Sequence, residues 1–167
     1  MHKQKLSFAG FPTPLQQMPR LSKALAGPRL FVKRDDMTDL AFGGNKARKL
    51  EFLFADAKNK GADVMISVGA IQSNCACMVA SASRRLGMKP VLVLVGKEPE
   101  VPDGNLLLDK LLSADIHFID DYGPHVNVFI KRIADHFRAK GHSPYVVASG
   151  ASIPSTVPGY ALAMEEL

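Results

Sequence analysis

Tryptophan is missing from this 167-residue chain, cysteine occurs only twice, and aromatics make up just 7% of it. The longest aliphatic run is Val91-Leu92-Val93-Leu94-Val95, far short of the roughly 20 residues that a membrane-spanning helix needs. No membrane association is expected. The opening residues hold no apolar stretch of the kind that a secretory leader carries, so none is expected. Cys75 and Cys77 stand two positions apart and cannot build a disulfide framework, which makes a reducing cytoplasm the expected setting. The pair also lacks zinc-site spacing, and His2, His117, His125, His136 and His142 are dispersed, reading as surface residues rather than ligands. No metal is expected. Neither a G-x-S-x-G elbow, a P-loop nor a G-x-G-x-x-G fingerprint occurs.

What is present describes a globular domain. Apolar residues make up 47% and charged residues 22%, a balance that supports a core without disulfides or a structural metal at this length. Charge is unevenly placed: residues 1–60 carry twelve Lys and Arg against five acids, and residues 61–167 carry nine against eleven. The basic part forms no continuous run and has no interleaved aromatics on which bases could stack, so nucleic acid is not an expected partner. Solvated basic faces and a small anionic ligand account for the excess.

From residue 61 the chain alternates regularly. Residues 64–68 (VMISV), 91–95 (VLVLV), 116–119 and 145–148 read as strands, and 73–86, 105–112 and 126–140 as helices. The last of these carries Ile130, Ile133, Ala134 and Phe137 on one face and stops at Gly141. Strand, helix, strand with short loops predicts a parallel sheet with right-handed crossovers, whose ligands bind at the carboxyl ends of the strands. The first sixty residues differ. Pro12, Pro14, Pro19 and Pro28 break them into extended pieces, 30–33 is a strand candidate, and 46–60 forms a helix with Leu50, Leu53, Phe54 and Ala57 in register.

Three loops carry candidate chemistry. Gly43-Gly44-Asn45-Lys46 places a lysine in the first turn of a helix that Asn45 could cap. The dipole there, with Arg48 and Lys49 nearby, favours the neutral amine that Schiff-base chemistry needs; an ordinary surface lysine after a Gly-Gly turn fits the same spacing. Gly69-Ala70-Ile71-Gln72-Ser73-Asn74 joins a strand to a helix, with Ser73 or Asn74 at the helix start where a carboxylate could bind. A plain polar cap fits equally. After the fourth strand, Ser149, Ser152, Ser155 and Thr156 could cradle a polar group, while Pro154 and Pro158 equally suggest a rigid loop.

Taken in order, Lys33-Arg34-Asp35-Asp36, Gly43 through Glu51 (GGNKARKLE) and Gly69 through Asn74 (GAIQSN) resemble the pyridoxal-phosphate enzymes that include D-cysteine desulfhydrase and 1-aminocyclopropane-1-carboxylate deaminase. Thr13-Pro14-Leu15 and Gly104-Asn105-Leu106-Leu107-Leu108 also fit, so the resemblance runs along essentially the whole chain. It implies an α/β fold of the tryptophan-synthase β-like type (fold type II of the pyridoxal enzymes). Residues 51–144 would be a small domain, a parallel twisted sheet with helices on both faces. Residues 1–50 would be the N-terminal part of a larger cofactor-binding domain, and 145–167 the start of the return into it, leaving that second domain incomplete.

Residue roles follow from the matched positions. Lys46 matches the lysine that forms the Schiff base with pyridoxal 5′-phosphate and later moves protons. Asn74 matches the residue that hydrogen-bonds the cofactor's 3′-oxygen. Gln72 and Ser73, with Asn74, match the loop that holds the substrate carboxylate. Cys75 stands where the family often has histidine, and Gly150-Ala151-Ser152 replaces a loop that commonly has a second glycine.

The N-terminal motifs place the expected reaction with D-cysteine, giving pyruvate, ammonia and hydrogen sulfide. The alternatives are ring opening of 1-aminocyclopropane-1-carboxylate to 2-oxobutyrate and ammonia, or a truncated, non-catalytic relative that binds a partner or a small ligand. Family members continue well past residue 167, whereas Met164-Glu165-Glu166-Leu167 reads as the interior of a helix. Apolar surface around Tyr160, Leu162 and Leu167 is therefore expected, seeking a second copy of the chain or a complementing C-terminal part.

Overall fold

The computed structural model describes residues 4–167; His2 lies outside the described residues. The chain runs β1 (Leu15–Gln17), α1 (Pro19–Ala24), β2 (Phe31–Lys33), α2 (Lys46–Asn59), β3 (Val64–Ala70), α3 (Asn74–Arg85), β4 (Lys89–Val95), α4 (Gly104–Leu111), β5 (Asp115–Ile119), α5 (His125–Ala139), β6 (Pro144–Val147) and α6 (Pro158–Glu165). Short 3-10 turns occupy Asp35–Met37, Ser149–Ala151 and Pro154–Thr156.

Strands β3 to β6 form a parallel sheet in the order β5-β4-β3-β6. Alternation along the strands decides which helix each face receives. Val64, Ile66, Val91 and Val93 point one way and bury α5 through Ile130, Ile133, Ala134 and Phe137. Leu92 and Leu94 point the other way, onto Ala76 and Ala80 of α3 and Leu106 of α4, while Met65 meets α2 and α3. Both faces of the sheet are thus covered, which is why the strands read as unbroken apolar runs. Val91 to Leu94 are fully buried, each worth about 2 kcal/mol.

The first sixty residues depart from expectation in two ways. Pro19 does not break the chain but opens α1, occupying a first-turn position where its missing N–H costs nothing. A β1 strand pairs antiparallel with β2, Leu15 opposite Lys33. Elsewhere the predicted boundaries shift by one or two residues, as when β3 runs on to Ala70 because its pairing with β4 continues to Val95.

Helix α2 is the hub of the fold. Leu50, Leu53, Phe54 and Ala57 are all fully buried, as the periodicity predicts. Glu51 on the same helix takes N–H groups from Phe8 and Ala9 and the Lys5 ammonium, tying the N-terminal segment to the core. At the other end of the chain Leu162 is half-buried rather than exposed, while Tyr160 and Leu167 do reach the surface.

Candidate functional site

The strand order creates a crevice. From β3 the chain passes through α3 to β4 on one side and on to β5, and α5 then returns it to β6 on the other side of β3. The loops that leave β3 and β6 therefore diverge at the carboxyl ends of neighbouring strands, the switch point where open α/β sheets bind ligands. The start of α2 reaches the same place. An added Cβ at Gly150, just beyond β6, would lie 3.8 Å from Lys46 Cε, and the charges of Lys46 and Lys49 act on the Cys75 thiol in the first turn of α3.

Lys46 is delivered there by a constrained loop. Gly43 has φ +78°, and a Cβ on it would fall 1.8 Å from the Asp36 carbonyl oxygen, so no side chain fits. Buried Thr38 clamps the next residue, its Oγ1 accepting from Gly44 N at 3.0 Å. Asn45 does not cap α2 as expected: its backbone is already helical, so its side chain cannot reach the free amides. Its Oδ1 accepts from Lys46 Nζ instead, at 3.0 Å. Among the described residues Lys46 has no carboxylate partner, whereas Lys5, Lys33, Lys60, Lys89 and Lys110 each have one.

Ser73 is the cap of α3, with extended backbone and Oγ accepting from Ala76 N at 3.2 Å. The amides of Asn74 and Cys75 precede the first intrahelical acceptors and remain free for a ligand. Burial pushes the Cys75 thiol up, with Lys46 and Lys49 opposing it. Gln72 is brought to the same loop, but its side chain turns away. Its Nε2 donates to Asp103 Oδ1 at 2.8 Å, and its Oε1 accepts from Asn105 N at 2.8 Å. Asn105 Nδ2 in turn donates to Asn74 Oδ1 at 2.7 Å.

On the β6 side the alternative of a rigid loop holds. The Thr156 hydroxyl contacts the Ala151 and Ile153 carbonyls and accepts from Ile153 N, closing the turn on itself. Lys49 bridges from α2 to this loop through Ser152 Oγ at 2.8 Å. An open groove of about 420 Å³ lies between Lys49, Ser152, Val157 and Tyr160.

Sequence reasoning missed a buried charge cluster centred on Arg48, two positions along α2 from Lys46. Arg48, whose side chain is 2% exposed, donates to both oxygens of Asp35 (2.8 and 2.7 Å) and both of Glu166 (2.8 and 2.9 Å). Thr13 Oγ1 joins at 3.0 Å, the Phe11 ring lies 4.5 Å from the guanidinium carbon, and Lys33 pairs with Glu166 at 2.7 Å. The hydrogen bonds from Arg48, helped by Lys33, hold Glu166 down to about 2 against the effect of burial. Burial alone would raise Asp35, but Arg48 and Thr13 bring it below the ordinary carboxylate range. Glu166 lies 118 positions from Arg48, so no local spacing could reveal the pairing.

Comparison with known proteins gives a consistent picture. The family profile described as "Pyridoxal-phosphate dependent enzyme" matches residues 6–167. A protein of Pyrococcus horikoshii named "Putative 1-aminocyclopropane-1-carboxylate deaminase" is 40% identical over 156 residues, 93% of this chain and 47% of its own length. Its namesake in Pyrococcus abyssi is 38% identical over 164 residues, 98% of this chain and 49% of its own. The chain thus spans about half the length of the curated relatives it matches. A crystal structure described as that of "the ACC deaminase homologue" superposes with a TM-score of 0.91 at 37% identity, covering 99% of this chain and 50% of that one. A pyridoxal 5′-phosphate-dependent aspartate racemase, 16% identical with a TM-score of 0.70 over 92% of this chain and 44% of its own, shares the fold. With almost its whole length matched by the family profile, the chain belongs to the pyridoxal-phosphate-dependent enzymes.

Proposed function

We propose that this chain supplies the lysine and the substrate loop of a pyridoxal-phosphate enzyme that acts on a small amino acid, of the 1-aminocyclopropane-1-carboxylate deaminase type. The observation that carries this reading is Lys46, an amine without a carboxylate partner among the described residues, at a topological switch point beside Gly150 and close enough for its charge to act on Cys75 in the first turn of α3. The names of the relatives favour aminocyclopropane carboxylate as substrate. D-cysteine, expected from the N-terminal motifs, has no specific support among them.

The residues present fit the cofactor on one side. Lys46 provides the amine, Asn74 a side-chain amide, and the loop of residues 71–73 a rigid wall beside them. When bound, pyridoxal phosphate supplies a ring that stabilises negative charge at the substrate's α-carbon. Lys46 Nζ is the group placed to take and return a proton there. Ser73 spends an acceptor lone pair on Ala76, which leaves its O–H able to donate to a substrate carboxylate beside the free amides of Asn74 and Cys75. Gln72 serves this loop by bracing it against residues 103–105.

The division into residues 1–50 and 145–167 of a larger domain and 51–144 of a smaller one is part of the same proposal, as is a homo-oligomer or a complementing C-terminal part. A reducing cytoplasm is the proposed location, supported by two free, buried cysteines. Among the described residues no helix is long and apolar enough to cross a membrane.

Borohydride reduction of the chain with pyridoxal phosphate, followed by peptide mapping, tests the reading. The label is expected on Lys46 and is expected to vanish in Lys46→Ala. Uptake with turnover of aminocyclopropane carboxylate, but not of D- or L-cysteine, supports the deaminase assignment, and the reverse preference overturns it. A chain that takes up no pyridoxal phosphate refutes the proposal for this polypeptide, and uptake without any turnover favours the non-catalytic relative.

A further inference from the structure

Asn74 and Gln72 are joined to the start of α4 by a network whose hydrogen-bond directions are fixed. The backbone N–H of Asn105 can only donate, so the Gln72 atom 2.8 Å from it is the carbonyl Oε1. Gln72 Nε2 then donates to the Asp103 carboxylate at 2.8 Å and to the Asp103 carbonyl at 3.3 Å. The Gln72 backbone carbonyl can only accept, so the Asn105 atom 3.0 Å from it is the amide Nδ2. The same Nδ2 lies 2.7 Å from the Asn74 side chain, which must therefore present Oδ1 to it. No other orientation of the three amides satisfies the network.

Gly104 makes this closeness possible. Its φ is +49°, and a Cβ on it would fall 2.5 Å from Gln72 Oε1. The Gly104-Asn105 pair thus braces the loop at the start of α3 through Gln72 and Asn74.

We infer that Asn105 is a positioning residue which, by engaging Asn74 Oδ1, turns the Asn74 Nδ2 donor toward the crevice to receive an anionic oxygen, the 3′-oxygen of the cofactor. This rests on the proposed cofactor site, but the orientation of Asn74 can be read without it. Asn105→Asp keeps the shape of the side chain and replaces its donor with an acceptor, and an acid in the first turn suits the dipole of α4. Asn74 would then turn round to donate to the new carboxylate, leaving its oxygen toward the site. Asn105→Ala releases Asn74 altogether, and Leu107→Ala, at a partly exposed position of the same helix, is the control for folding.

In the ligand-free chain, nitrogen-proton spectra of the side-chain amides are expected to show the Asn74 resonances moving in Asn105→Asp and Asn105→Ala but not in Leu107→Ala, with those of Asn127 unmoved throughout. With pyridoxal phosphate added, both Asn105 variants are expected to bind about tenfold more weakly, and the pH midpoint of the visible band to move upward because the 3′-oxygen loses its donor. Unmoved Asn74 resonances overturn the inference. So do unchanged affinity and an unchanged band midpoint when the wild-type chain binds. A wild-type chain that takes up no cofactor refutes the proposed function, and the spectra of the ligand-free variants then decide the orientation alone.

Discussion

Two carboxyl groups show how this fold treats charge at the residue scale. Glu166 is paired by Arg48 and Lys33 and held down to about 2, while Asp109 is fully buried on α4 with neither oxygen in a regular hydrogen bond. Burial pushes Asp109 up to about 6, against the opposing effect of its polar neighbour Cys77, a weak donor. The thiol is itself pushed up to about 12, by burial first and by Asp109 second. The signs are opposite. Glu166, lowered on folding, contributes stability above its ordinary value of 4.5 that is lost as pH falls toward 2. Asp109, raised on folding, binds a proton in the native state that the unfolded chain has released, so stability falls as pH rises from about 4 to about 6.

Urea unfolding across this range is expected to show both limbs. Asp109→Asn should abolish the loss above pH 4 and gain about 2 kcal/mol at pH 7 relative to pH 4. Arg48→Met removes the guanidinium that both carboxylates share, leaving Glu166 with Lys33 and Asp35 with Thr13, and is expected to cost about 3 kcal/mol at pH 7, with the cost shrinking as pH falls and the carboxylates take up protons.

At the scale of elements, the site depends on how α2 is held. Its first turn carries Lys46, and its flank is contacted by α6 at Gly159, where a Cβ would meet the Arg48 carbonyl oxygen at 2.2 Å. Gly159→Ala must push the two helices apart. We expect a cost of about 2 kcal/mol and faster amide exchange in α6 and the first turn of α2, with α5 protected as before. Equal exchange in all three helices would show that the contact yields elsewhere. Gly43→Ala acts in the loop before the same helix, and its clash with the Asp36 backbone rather than a side chain leaves no cheap adjustment. Its expected outcome is loss of the borohydride-fixed label on Lys46 in a chain that still shows the sheet by circular dichroism.

For the whole molecule, the notable feature is apolar surface near the end of the chain. Val157, Met164 and Leu167 are 64%, 68% and 62% exposed, next to the half-open Tyr160 groove. Such a patch favours association. Light scattering is expected to give a mass above that of the monomer, and the double change Val157→Lys and Met164→Lys to return it toward the monomer. A wild-type monomer at the highest soluble concentration would refute this.

The sheet and its helices were legible in the sequence because each depends on a local period: two along β3 and β4, and 3.6 along α2 and α5. The three loops that meet at the crevice were also legible, since glycines and polar residues at helix starts mark them; of Ser73 and Asn74, both candidates for the start of α3, it is Ser73 that caps it. Other features were settled only by long-range contact. Pro19 reads locally as a breaker, yet it starts α1. Asn45 has the right chemistry for a cap but the wrong backbone, and the Gln72 side chain is taken up by Asp103 and Asn105. The Arg48 cluster joins Thr13, Asp35 and Glu166 across most of the chain, where no periodicity connects them. Which stretches become strands and helices was written into the order of residues, because backbone preference and burial pattern act over a few positions. Which polar groups meet was left to the folded chain, because hydrogen-bond partners are chosen by distance in space and not by spacing along the sequence.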